Sequence, residues 1–216
     1  MSQPTAGSAA PPPEIIYIIR HGEKPADPPP AAPGQAPPAA APGPPFGVDF
    51  QGNQDPHSLL PRGWQRSGAL AVLFDPALGT LQAGLRAPAA LLSPSYGSPD
   101  KTTGHRTYQT VLGLSDRLGA PIVSNFAEGD EPALAASVVS GYSGVVLICW
   151  EHDHIPAIAT ALPTVPGTVI PQPWPGDRFD VIWTFTLVPG SAPARYDFGQ
   201  IPQQLLSGDT DSIISA

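Results

Sequence analysis

The sequence predicts an α/β protein, a three-layer α/β/α sandwich around a mostly parallel central sheet. Three observations predict it. Two apolar runs, residues 14–19 and 145–150, are rich in β-branched and aromatic residues without alternation, the pattern of strands covered on both faces. Strand-like and helix-like segments then alternate over about 130 residues, which is how helices come to cover both faces of a sheet. Finally, the 31 prolines and 22 glycines of the 216-residue chain, near the level that suggests disorder, coexist with 41% hydrophobic residues, so the proline must be concentrated outside an ordinary folded domain.

The elements follow in order. Residues 1–13 are small, polar and proline-bearing, and read as a mobile leader. The first strand, 14–19, runs into Arg20-His21-Gly22-Glu23. Residues 25–45 are almost wholly Pro, Ala and Gly, an inserted extended loop of polyproline II character that is solvated rather than folded over the strand edge. Residues 58–63 lead into a first amphipathic helix over 64–74, where Trp64, Leu70, Ala71, Leu73 and Phe74 fall at helical spacing. A short strand at 89–93 precedes a polar stretch, 94–105, and a helix over 106–118 closed by Gly119. Residues 121–123 form a brief third strand and 131–139 a third helix. The strand 145–150 is backed by a helix over 155–162, and the alternating Phe179, Val181, Trp183, Phe185 and Leu187 mark a strand at 179–188 with one face less buried. The domain spans 14–206, and 207–216 is a tail with no nameable chemistry.

Composition excludes several function classes. Ten Lys/Arg against eighteen Asp/Glu give a formal charge of −8, so neither nucleic acid nor an anionic membrane is an expected partner. The single cysteine, Cys149, lies in an apolar run and reads as a small buried thiol. With no secretory signal in the leader and no apolar stretch of membrane-spanning length, the expected compartment is the cytoplasm. The oligomeric state is not legible.

Two strands end in histidine, at Arg20-His21-Gly22 and at Glu151-His152-Asp153. In an open α/β sheet the loops beyond the carboxyl ends of parallel strands converge on one edge, where ligands bind, so His21 and His152 are expected to face one pocket. A neutral imidazole is a competent nucleophile toward phosphorus and needs cations nearby to offset the phosphoester's charge. Arg20 can offer a planar fork to phosphate oxygens, and Arg106, at a helix start, can bring a second guanidinium. Gly22 removes a side chain where the backbone must turn beside a ligand. The run His152-Asp153-His154 also offers metal-type ligands, but adjacent side chains rarely converge on one ion, so no metal is expected. Arg178 and Asp180 read as a structural pair at a sheet edge.

Four segments together resemble the histidine phosphatase superfamily, which includes phosphoglycerate mutase-like enzymes. Ile15-Ile16-Tyr17-Ile18-Ile19-Arg20-His21-Gly22-Glu23-Lys24-Pro25 looks like its signature, and the stretch from Asp55 to Arg66 resembles the segment that opens its first helix. His105-Arg106-Thr107-Tyr108-Gln109-Thr110 is similar to the element carrying the second phosphate arginine, and Val146 to His152 to the strand delivering the second histidine. They occur in the family's order and cover roughly residues 14–162. The resemblance implies a phosphoglycerate mutase-like fold, His21 as the nucleophile that becomes phosphorylated, and Arg20, Arg106 and His152 as the phosphate pocket, with no metal or other cofactor. It implies a proton donor at one of two places: Asp153, after the second histidine, or Glu128, after the second arginine. Asp153 is the first choice, and it equally suits the N-cap of the following helix. The expected activity is hydrolysis of a small-molecule phosphomonoester. A non-catalytic phosphoester-binding module and a mutase-type phosphotransferase are the alternatives.

Overall fold

A computed structural model describes residues 10–26, 34, 44–95 and 105–215. Most of the leader, most of the proline-rich loop and the polar loop 96–104 lie outside the described residues. Among the described residues six strands form one mixed sheet accompanied by four α-helices: β1 (Pro13–Arg20), α1 (Pro61–Phe74), β2 (Ala90–Leu92), α2 (Arg106–Leu118), β3 (Ile122–Val123), α3 (Glu131–Gly141), β4 (Gly144–Trp150), α4 (Ile155–Ala161), β5 (Val181–Leu187) and β6 (Tyr196–Pro202). The sheet order is β3-β2-β4-β1-β5-β6. The four strands from β3 to β1 are mutually parallel, whereas β5 runs antiparallel to β1 and β6 antiparallel to β5.

The unalternating strands do what their composition dictates. In β1, Ile16 and Ile18 pack into one apolar cluster with Val146, Ile148 and Trp150 of β4, against α3 and α4. Tyr17 and Ile19 join a second cluster with Leu147 and Cys149, against α1 and α2. Successive side chains on a strand point to opposite faces. Each face of β1 and β4 therefore has its own cover. Cys149 is fully buried, as its neighbours imply.

Four features differ from the sequence reading. Helix α1 begins three residues early, at Pro61, because proline is accommodated in the first turn, where its missing N–H has no partner to lose. The strand β6 was not anticipated. Its Tyr-Asp-Phe-Gly-Gln-Ile-Pro carries too few apolar residues to signal a strand, and it is made by a full ladder to β5 and by Phe198 packed edge-on to Trp183. With β5 and β6 antiparallel, the sheet is mixed. Residues 207–215, read as a tail, are docked on the domain: Ile214 is buried, and the fully buried Arg66 grips Asp209 through both Nη atoms at 2.7 and 3.0 Å while also bonding Glu23. The expected Arg178–Asp180 pair forms at 2.7 Å. Among the described residues no helix is long and apolar enough to cross a membrane.

Candidate functional site

β1 and β4 run side by side in parallel, with Ile19 opposite Cys149 and Arg20 opposite Trp150. The next pair, just past the strand ends, is His21 and Glu151. That register sets the chemistry of the site. The His21 ring is fully buried, and its Nδ1 lies 2.6 Å from the carbonyl oxygen of Gly22. A carbonyl can only accept, so Nδ1 carries the hydrogen and the reactive lone pair belongs to Nε2. Nε2 makes no well-directed hydrogen bond, and Oε2 of Glu151 stands 3.0 Å from it.

The segment after His21 is pinned by α2 and α1. Gly22 N–H donates to Thr110 Oγ1 at 2.7 Å, and that hydroxyl donates in turn to the Arg106 carbonyl. Gln109 accepts from Leu59 N–H at 2.8 Å and donates to Ser58. Both residues of the Arg106 segment thus fasten its helix to the loop that precedes α1. Gly22 is needed for another reason than a ligand's approach: a Cβ there would lie 3.0 Å from the Gly63 backbone. Two glycines let the His21 loop and α1 touch backbone to backbone.

The structure brings several predicted residues together. His21, His152 and Glu151 each place a donor atom within 4.8 Å of the others. Burial, and then the Arg20 charge, push the His152 ring below its ordinary pKa, so it is neutral near pH 7; its buried Nδ1 has no hydrogen-bond partner. Arg106 reaches the Pro56 carbonyl through Nη2 at 2.8 Å, and its Nε is buried without a partner. Arg20 Nη1 is committed to the loop that precedes β5, bonding Gly176 O at 2.6 Å, and the guanidinium stacks 3.9 Å from the Phe179 ring centroid. Its expected fork toward a phosphate is thus partly engaged by protein carbonyls, while its charge acts on His152 and Glu151.

The two acid candidates separate. Asp153 has a side chain 77% exposed and pairs with His152 Nε2 at 3.3 Å, and it does not cap α4, whose N-cap is His154. Glu128 is half-buried. Burial, and then the negative charge of Glu151, raise its pKa above the ordinary value. Its loop is held by Glu131, which accepts from Gly129 N–H and from Trp150 Nε1 and pairs with His154. Glu151 goes the opposite way. Burial alone would push it up, but the His21 ring beside it, with the charges of Arg106 and Arg20, outweighs burial and holds it down to about 2. Two nearby carboxyls with pKa values pushed apart are the usual basis for giving one the acid role.

No family model matches the chain, and no curated protein does. Function therefore rests on the geometry. Two imidazoles and a carboxylate could in principle meet at a metal ion. The charges of Arg20 and Arg106 acting on the same spot favour an anion instead. Beside the site a cavity of about 250 Å³ opens between Glu23, Arg62, Arg66, Phe179 and Asp209. Phe179, which lines it, has its ring centroid 6.0 Å from that of His21. The sequence reading passed over Glu151 and Phe179. Glu151 had one legible signal, its position next to His152, but only the strand register sets it against His21.

Proposed function

We propose that this chain is a metal-independent phosphatase that hydrolyses a phosphomonoester through a phosphohistidine at His21. One observation carries the reading: a buried imidazole with Nδ1–H fixed on the Gly22 carbonyl, so that Nε2 is the nucleophilic nitrogen, in a pocket shared with His152 and the charge of Arg106. The separate helix pairs packed on the two faces of β1 and β4 support the finer reading of a three-layer, phosphoglycerate mutase-like sandwich.

In the first half-reaction Nε2 attacks phosphorus and the P–O bond to the leaving group breaks. Glu128, whose pKa burial and the Glu151 charge raise, gives that oxygen its proton. In the second, Glu128 takes a proton from water, hydroxide adds to phosphorus and the P–N bond returns its electron pair to Nε2. Arg20, Arg106 and the neutral His152 offset or hydrogen-bond the phosphoryl oxygens. The second reading, a module that binds a phosphoester without turnover, is favoured by the Glu151 carboxylate standing against the nucleophile.

Release of p-nitrophenolate from p-nitrophenyl phosphate in excess EDTA separates them. Turnover that His21→Ala abolishes supports the phosphatase. Phosphate binding without turnover supports the module.

A further inference from the structure

Glu151 is a difficulty for any phosphate pocket. Attack on phosphorus needs the reacting atoms about 3–3.5 Å apart. Glu151 Oε2 already lies 3.0 Å from Nε2. A phosphoryl group that reaches Nε2 must displace the carboxylate, and one of its oxygens then rests against it. Two bare anions in contact inside a half-buried pocket repel strongly.

The resting contact has the same requirement. Because Nδ1–H is committed to Gly22, a neutral ring would turn an Nε2 lone pair toward the carboxylate oxygen; a proton on Nε2 converts that repulsion into attraction. One proton therefore belongs to the pocket before a ligand arrives. The charges facing Glu151 give the same count. From β1 come Arg20 and His21, from α2 Arg106, from the loop before α3 Glu128, and from β4 and its end Cys149 and His152. Burial and the Glu151 charge raise the pKa of both Cys149 and Glu128, while burial and the Arg20 charge lower that of His152. Beside a neutral His21 ring the guanidiniums of Arg20 and Arg106 and the Glu151 carboxylate leave a single positive charge, which a phosphoester bearing one negative charge balances; with the Nε2 proton still in place the same pocket balances a dianion.

Resting on the reading of His21 as phosphoryl acceptor, we infer that Glu151 is a specificity-determining residue that makes the pocket take a phosphoester in its monoprotonated form, by accepting a hydrogen bond from the P–O–H. When a dianion enters, the Nε2 proton passes to a phosphoryl oxygen. Nε2 recovers its lone pair, the new P–OH donates to Glu151, and attack follows with the leaving group departing as described above. After hydrolysis that proton returns to Nε2. No proton is gained or lost over the cycle.

The test uses the full chain with inorganic phosphate as ligand and p-nitrophenyl phosphate as substrate, whose leaving group needs no acid and so hides any titration of Glu128. In the wild type, phosphate affinity and kcat/KM both fall about tenfold per pH unit once the pocket proton is lost. In Glu151→Gln, whose amide can donate to a dianion, the fall is abolished or moves up by at least one pH unit. The ³¹P shift of phosphate bound to the wild type gives a readout that needs no variant: at pH 8 it stays at the monoanion position although free phosphate is largely dianionic. A bound signal at the dianion position, or identical pH profiles in the wild type and Glu151→Gln, overturns the inference and leaves the phosphatase reading standing. Absence of both binding and turnover removes the two together.

Discussion

Gly63 stands at the third position of α1, where elementary propensity says that alanine would help. A Gly→Ala change in a helix interior gains about 1 kcal/mol. Here the backbone of the His21 segment occupies the space. A Cβ on residue 63 would lie 2.6 Å from the Glu23 carbonyl oxygen and 2.9 Å from the Glu23 nitrogen, against an ordinary contact of 3.4 Å or more. Both neighbours are backbone, so relief requires the loop carrying His21 to move by about 0.8 Å, the difference between the two contacts. Overpacking of this kind costs about 1–3 kcal/mol, which offsets the propensity gain and leaves Gly63→Ala destabilised by up to about 2 kcal/mol. The effect on function is larger, because a reacting group displaced by about 1 Å loses on the order of 10²-fold in rate. Urea unfolding gives the first quantity and kcat/KM on p-nitrophenyl phosphate the second. A Gly63→Ala protein that is more stable than the wild type and equally active would refute the backbone contact between the His21 loop and α1.

Further outcomes follow from the same geometry. Arg66→Leu takes from Glu23 and Asp209 their buried partner, leaves only the more exposed Arg62 against them, and is expected to cost up to about 3–5 kcal/mol in urea unfolding, with Asp209→Asn costing less. Glu128→Gln slows alkyl phosphates by about 10²–10⁴ while sparing p-nitrophenyl phosphate, and Asp153→Asn, altering an exposed carboxylate, changes neither; the reverse pattern in steady-state kinetics would return the acid role to Asp153. Glu151 has a folded pKa below its ordinary 4.5, at about 2. Between those values the unfolded chain binds the extra proton, so the contribution of Glu151 to stability is complete above pH 4.5 and is lost as pH falls toward 2. Acid titration of unfolding free energy in Glu151→Gln is expected to lack that slope.

Much of the fold was written in local patterns. β1 and β4 announce themselves because a strand buried on both faces has no polar positions, and Gly119 ends α2 in the left-handed conformation expected of it. β6 was invisible because its stability comes from pairing with β5 rather than from its own residues. The convergence of His21 with His152 was legible, since the carboxyl ends of neighbouring parallel strands share an edge. The acid was not. Asp153 and Glu128 are chemically alike, and the difference between them is burial, which depends on how the loop before α3 folds over Trp150. Glu151 was lost for a related reason: nothing in either strand alone says that residue 21 sits level with 151 rather than 152.

The most direct test is to mix the full chain rapidly with radiolabelled aryl phosphate in EDTA, quench it in denaturant, and ask what is covalently labelled. A phosphohistidine survives alkali and is lost in acid, maps to the peptide containing His21 and is absent from His21→Ala. Turnover without such a label, or a label that persists in His21→Ala, would contradict the nucleophile on which the account stands.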